Sequence, residues 1–201
     1  MKPVIYCDFD GTITESDNII AIMKKFAPPN WERIKDQILS QEISISEGVG
    51  KLFSELPSSQ KDEITKFAIE NAKIREGFSE FVEFTRTENI PFYIVSGGID
   101  FFVFPILDKY GPFEGIYCNH SDFSGEHKRI LWPYTCGSLC KNECGCCKPS
   151  IIRKLNQDED TFTIVIGDSV TDLEAAKQAD FVLSRDLLEK KCSEWGLNYK
   201  G

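Results

Sequence analysis

A chain of 201 residues suits one domain, or one core domain with a modest insertion. Its 41% hydrophobic and 27% charged residues are those of an ordinary globular protein and exclude the disordered, fibrous and membrane classes. The net charge of −9 argues against a nucleic-acid partner, which needs a basic face, but permits an anionic substrate, because a bound cation reverses the local field. Asp8 and Asp10 arrive before a signal-peptide apolar region forms, so a cytoplasmic protein is expected. Oligomeric state stays open, with a homo-oligomer allowed.

Lys2–Cys7 is a short β-branched and aromatic run that stops at Asp8-Phe-Asp-Gly-Thr, and reads as a buried strand ending in a turn. From Asp17 to Lys73 the texture is helical. Ile19, Ile20, Met23 and Phe26, then Ile34 and Ile38, recur at helical spacing, with breaks at Pro28-Pro29 and Leu56-Pro57. Ser44 or Ser46 with Glu47 can open a helix within this block. The expected organisation is a core of residues 1–16 and 74–201 with a small helical insertion at 17–73.

Phe78, Phe81, Val82 and Phe84 form a helix face, and Ile90–Val95 a second strand ending at Ser96-Gly97-Gly98. Phe101–Leu107 reads as a helix and Gly115–Cys118 as a third strand. Ser121–Cys147 reads as irregular, a hairpin followed by a cysteine-rich loop. Pro149–Leu155 opens a helix with proline in its first turn. Thr161–Ile166 is a strand ending at Gly167-Asp168-Ser169, Leu173–Gln178 a helix, and Phe181–Leu183 the last strand of the series. This alternation implies an α/β, doubly wound, Rossmann-like parallel sheet, with the helical insertion after the first strand. Ligands of such sheets bind beyond the carboxyl ends of the strands, where the clusters at Asp8, Ser96 and Asp168 fall.

Phosphoryl transfer needs a nucleophile, a cation on the phosphate oxygens, donors for the equatorial charge and an acid for the leaving oxygen. Asp8 and Asp10 straddle Phe9 and can face one pocket, Gly11 permits the turn, and Thr12 adds a hydroxyl and an amide. Asp168 and Asp172 offer carboxylates suited to Mg2+. Ser96 with Gly97-Gly98 offers a hydroxyl and unhindered amides, and Lys148 a fixed positive charge. Singly, each is more often a turn, a cap, a loop or a solvated lysine. Together they stand in one order, the acidic and glycine clusters each at the end of an expected strand.

The four segments Asp8-Phe-Asp-Gly-Thr-Ile-Thr, Ser96-Gly-Gly, Lys148 and Gly167-Asp-Ser-Val-Thr-Asp172 resemble the motifs of the haloacid dehalogenase superfamily phosphatases. The resemblance implies Asp8 as nucleophile and Asp10 as general acid, then base. It implies Mg2+ held by Asp8, the main-chain carbonyl of Asp10 and Asp168, with Asp172 supporting. It implies phosphate held by Thr12, Ser96, Gly97 and Lys148, and a closing cap in the helical insertion. A closer resemblance, to the bacterial MtnX family, is carried by Asp17-Asn-Ile-Ile, Phe26-Ala-Pro-Pro, Ile74-Arg-Glu-Gly-Phe, Ile116-Tyr-Cys-Asn-His and Cys144-Gly-Cys-Cys-Lys-Pro-Ser. It implies action on 2-hydroxy-3-keto-5-methylthiopentenyl-1-phosphate in methionine salvage. Relatives are expected to continue through another helix past the position of Tyr199.

Two alternatives stand beside it: a phosphatase for phosphoserine or another small metabolite such as pyridoxal phosphate, and a regulatory domain that accepts phosphate without turnover. Asp10 speaks against the second. Against phosphoserine stands Val49-Gly-Lys-Leu-Phe53, which lacks the cap arginine expected to pair that substrate's carboxylate. Lys51 is a poorer match than a bidentate guanidinium. Ile19, Ile20, Met23, Trp31 and Phe53 would suit a thioether tail, although such a stripe is more often core.

Cys136, Cys140, Cys144 and Cys147, with Cys146 extra, admit three readings. They are unpaired thiols, a structural Zn2+ site, or disulfides, which a reducing compartment disfavours. His120 and His127 have no catalytic partner in these mechanisms.

Overall fold

The computed structural model describes residues 1–137, 140, 143–156, 158 and 160–201. Its strands are β1 (Lys2–Cys7), β2 (Phe92–Ile99), β3 (Gly115–Asp122), β4 (Arg129–Leu131), β5 (Thr161–Gly167), β6 (Phe181–Ser184) and β7 (Tyr199–Lys200). They form one sheet in the order β4-β3-β2-β1-β5-β6-β7, parallel except for β4, which pairs antiparallel with β3. Central β1 has β2 on one side and β5 on the other, so the strand order reverses at its carboxyl end. The crevice of a doubly wound sheet opens there.

Four helices lie between β1 and β2: α1 (Asn18–Phe26), α2 (Trp31–Leu39), α3 (Ile45–Ser54) and α4 (Lys61–Asn71). Asp17 caps α1 by accepting from the Ile20 amide, and Lys24 and Lys25 complement the dipole of its last turn. Ser44 caps α3 by accepting from the Glu47 amide. The insertion leaves and rejoins the sheet side by side. Thr14 bridges Ile74 antiparallel, the Glu15 amide donates to Lys73 O at 2.9 Å, and the Arg75 amide donates to Ile13 O at 2.9 Å.

The remaining helices are α5 (Phe78–Thr87), α6 (Asp100–Leu107), α7 (Lys148–Leu155), α8 (Leu173–Ala176) and α9 (Asp186–Trp195). Alternation along β1 splits the core. Ile5, Cys7 and Phe9 join Met23, Phe53, Leu56, Ile64, Phe101 and Phe102 in one cluster, while Tyr6 joins Val95, Ile151, Ile152 and Val165 in another. The insertion therefore shares its core with α6, where the Phe53 and Phe101 rings meet edge-on at 6.0 Å.

The structure differs from expectation in several places, among them β3, which runs past Cys118 to Asp122, and α8, which ends at Ala176 rather than Gln178. β2 does not stop at Val95 but runs through Ser96-Gly97-Gly98 to Ile99, with a register shift on β3. α9 is a further helix, buried only at Leu188 and Cys192, too sparse a stripe to read from periodicity. Phe181–Leu183 is not the last strand, since the two-residue β7 pairs with β6 beyond it. The expected hairpin is β3–β4. Of the cysteine-rich loop, residues 138–139 and 141–142 lie outside the described residues.

Candidate active site

Asp8 follows β1 directly, and its amide donates to Ile166 O of β5 at 2.9 Å, continuing the strand pairing up to the site. The chain then turns at Gly11, φ +80°, where a Cβ would lie 2.6 Å from Asp168 Oδ2. Glycine is required here twice over, by the backbone and by the close approach of Asp168. The Arg75 guanidinium holds the turn from behind, donating to Thr12 O at 2.9 Å, Gly11 O at 3.0 Å and Thr14 O at 3.3 Å. Asp10 is anchored at Oδ1 by the Asn18 amide at 2.9 Å and the Asn18 side chain at 2.7 Å. Burial raises its carboxyl to about 7, Asp17 adding to the rise and the Asn18 hydrogen bonds opposing it.

Lys148 begins α7 and is almost wholly buried between two carboxylates, 2.8 Å from Asp8 Oδ1 and 2.5 Å from Asp172 Oδ1. Burial disfavours its charge, but Asp172 and Asp8 outweigh that and hold the ammonium protonated. The amides of Asp168 and Ser169 donate to Asp172 Oδ2 at 3.2 and 3.1 Å, fixing the loop after β5. Thr12 donates its hydroxyl to Asp168 Oδ1 at 2.7 Å.

Ser96 is fully buried in β2, its Oγ accepting from the Gly98 amide at 2.9 Å. A Cβ on Gly98 would meet Asp10 Oδ2 at 2.8 Å, which brings the second motif against the first. Asn119, on β3, donates to Gly97 O at 2.8 Å and stiffens this segment. All the expected catalytic, phosphate and acidic residues thus meet at one edge of the sheet.

Carboxylate oxygens of Asp8, Asp168 and Asp172 lie within 4.8 Å of one another. Among the described residues these three face one ammonium, that of Lys148, which leaves two negative charges uncompensated there, and Asp8 Oδ1 is buried without an aligned hydrogen bond. Burial, followed by the charge of Asp172, pushes the Asp8 carboxyl up despite Lys148. A hard divalent cation fits this donor set on charge and chemistry.

Residues 5–177 match the family of haloacid dehalogenase-like hydrolases. The chain belongs to that family. Phosphatases of the haloacid dehalogenase family generally use Mg2+, in keeping with the acidic triad. Among relatives in the family, a Geobacillus thermodenitrificans protein is 62% identical over 96% of this chain and 88% of its own length. A Bacillus pumilus protein is 56% identical over 99% of this chain and 86% of its own. Both are named 2-hydroxy-3-keto-5-methylthiopentenyl-1-phosphate phosphatase. A solved phosphoserine phosphatase, a phospho-aspartyl intermediate analogue, shares the fold with TM-score 0.72 and 22% identity, covering 94% of this chain and 90% of that one. A substrate-bound phosphoserine phosphatase gives 0.73 and 20%, over 95% and 90%.

The sulfurs of Cys136, Cys140, Cys144 and Cys147 also lie within 4.8 Å of one another, and all four thiols are free. Met23, Phe53 and Trp31 are buried core, so a substrate tail does not reach them here, whereas Ile19 and Ile20 are only partly buried. Lys51 is half-exposed and paired with Glu47 at 2.6 Å. Sequence reasoning missed Asn18, Arg75 and Asn119 as site residues. Each acts on a partner far along the chain or through backbone groups, and the one signal was their presence in family-like stretches.

Proposed function

We propose that the chain is an Mg2+-dependent phosphatase that hydrolyses 2-hydroxy-3-keto-5-methylthiopentenyl-1-phosphate to 1,2-dihydroxy-3-keto-5-methylthiopentene and phosphate in methionine salvage. The observation that carries the substrate is identity of 56–62% over nearly the whole chain to phosphatases of that name. The burial of Asp8 beside Lys148, with Asp10 at hand, supports the chemistry.

Asp8 is the nucleophile. Its carboxylate attacks phosphorus and the ester P–O bond breaks, while Asp10 delivers its proton to the leaving oxygen. Asp10, now ionised, takes a proton from water as that water attacks the aspartyl-phosphate, which releases phosphate and restores Asp8. Lys148 compensates the charge of Asp8 throughout. Ser96, the Gly97 segment, Thr12 and Lys148 bind the phosphoryl oxygens. Asp8, the Asp10 carbonyl and Asp168, supported by Asp172, would hold Mg2+, which when bound neutralises charge on those oxygens.

Residues 17–73 act as the cap that closes over the site and excludes water, with the paired segments at Thr14 and Ile74 as its hinge. The thiols of Cys136, Cys140, Cys144 and Cys147 would hold a structural Zn2+ apart from the catalytic cation. The working compartment in this reading is the cytoplasm.

A substrate panel tests the proposal. The enolphosphate should exceed phosphoserine and pyridoxal phosphate in kcat/KM by at least about 100-fold, the discrimination a shaped pocket gives. A preference for phosphoserine would refute the substrate and leave the chemistry standing.

A further inference from the structure

We infer that the four-thiol site and Lys148 form one device, in which a thiolate-bound Zn2+ at Cys136, Cys140, Cys144 and Cys147 locks the loop that presents Lys148 to Asp8. The phosphatase reading enters only where turnover is measured.

Four sulfurs gathered within 4.8 Å of one another are close to what a tetrahedral site requires. With Zn–S bonds of about 2.3 Å, the sulfurs of such a site stand about 3.8 Å apart. Cys140 Sγ and Cys144 Sγ are 3.8 Å apart. Hydrogen bonding favours a thiolate at Cys136, while burial favours the thiol form of Cys144 and Cys147 as long as no metal is bound. The Cys144 amide donates to Cys136 Sγ at 3.4 Å, and Cys147 Sγ donates to Ser150 Oγ at 3.1 Å. Ser150 Oγ is itself held by the Gly137 amide at 3.2 Å and by Arg153 at 3.1 Å. Cys146, the fifth thiol of the stretch, turns away toward Tyr117 O at 3.7 Å. Soft sulfur donors select Zn2+ over the Mg2+ preferred by the acidic triad, so the two sites do not compete for one metal.

The site's position gives it a task. Cys147 is the N-cap of α7 and Lys148 the first residue of that helix, so one of the four ligands adjoins the lysine paired with Asp8. The Cys147 amide donates to Tyr134 O at 2.8 Å, tying the loop to the chain after β4. On its other side Glu143 O accepts from the Ser46 amide of α3 at 3.2 Å, and the Trp132 ring packs on Gly145 beside Gly50 of α3. The loop therefore touches both the catalytic lysine and the helical insertion. Cys146 and Cys147 are buried, whereas residues 133–137 alternate between exposed and partly buried, so a metal clip would tie this looser first part of the loop to the packed second part.

The test uses the full chain, expressed with Zn2+, kept reduced, and washed with Mg2+ in excess. Elemental analysis should find about one zinc per chain, lost in Cys140→Ser and in Cys144→Ser but kept in Cys146→Ala. Cobalt substituted for zinc should give thiolate charge-transfer and tetrahedral visible bands. Stripping the zinc should speed amide exchange over residues 147–151 and lower kcat on an aryl phosphate at least about tenfold, more than it changes KM, with both restored by added zinc. Absence of zinc from supplemented, reduced protein would overturn the site, and so would retention of full zinc by both serine variants. Unchanged exchange and kcat on zinc removal would overturn the link to Lys148. Metal content and exchange need no turnover, so a failed phosphatase reading shows separately, as zinc bound without hydrolysis.

Discussion

Asp10 is the residue whose environment says most about the chemistry. Burial and Asp17 raise its carboxyl to about 7, so near neutrality it is available both as acid and as base. The aspartyl-phosphate-forming step needs the protonated form, and kcat/KM should therefore fall as pH rises through about 7. Asn18 opposes the rise, and its side chain donates to Asp10 Oδ1 at 2.7 Å. Asn18→Ala should move the falling limb to higher pH; a limb that stays in place would show that Asn18 does not tune Asp10. The same shift acts on stability, with the sign reversed from that of a paired carboxylate. Its folded value lies above the ordinary 3.8, so the folded state binds the extra proton between about pH 4 and 7. Asp10 contributes nothing below that window and destabilises the fold increasingly across it. Metal-free Asp10→Asn should thus melt at a higher temperature than the parent at about pH 8 and alike at about pH 4, which calorimetry checks. Replacing Asp10 should also slow turnover by roughly 100–10,000-fold.

Among the elements, the turn after β1 binds the site together. Gly11→Ala places a methyl 2.6 Å from Asp168 Oδ2 at a φ of +80°, and should cost more than about 1 kcal/mol in denaturant unfolding. Arg75→Met strips three carbonyls of their donor and should cost roughly 1–3 kcal/mol, with Arg75→Lys recovering only part because an ammonium lacks the fork. The turn was legible in the sequence because Asp8-Phe-Asp-Gly-Thr ends a buried strand and contains the one residue that tolerates its backbone. The Ser44–Glu47 cap and the Pro149 helix start were legible for the same local reason. α9 was not, because only Leu188 and Cys192 mark its buried face, and β7 is too short to carry an alternation. Arg75 and Asn119 escaped because their meaning lies in carbonyls of Gly11 and Gly97, distant along the chain and brought near only by the sheet.

At the scale of the whole molecule, three strand ends deliver their loops to one edge, and the insertion rejoins the sheet where it left. Among the described residues that convergence leaves two unmatched negative charges around Asp8, Asp168 and Asp172. Chelation should therefore abolish turnover, and added Mg2+ should restore it and raise the melting temperature in proportion to its occupancy. The doubly wound order followed from the alternation of strands and helices, whereas the sharing of one core by the insertion and α6 is a matter of tertiary packing that no local pattern carries. The covalent role of Asp8 is the claim on which the rest depends, and mass spectrometry of the Asp10→Asn variant tests it most directly. With an aryl phosphate the leaving group needs no acid, so that variant should form the acyl phosphate and then stall for want of a base. Acid quenching should show one phosphoryl group, mapped to the peptide containing Asp8 and absent when Asp8 is also replaced by Asn. Turnover that survives Asp8→Asn, or a phosphoryl group on any other residue, would contradict the account.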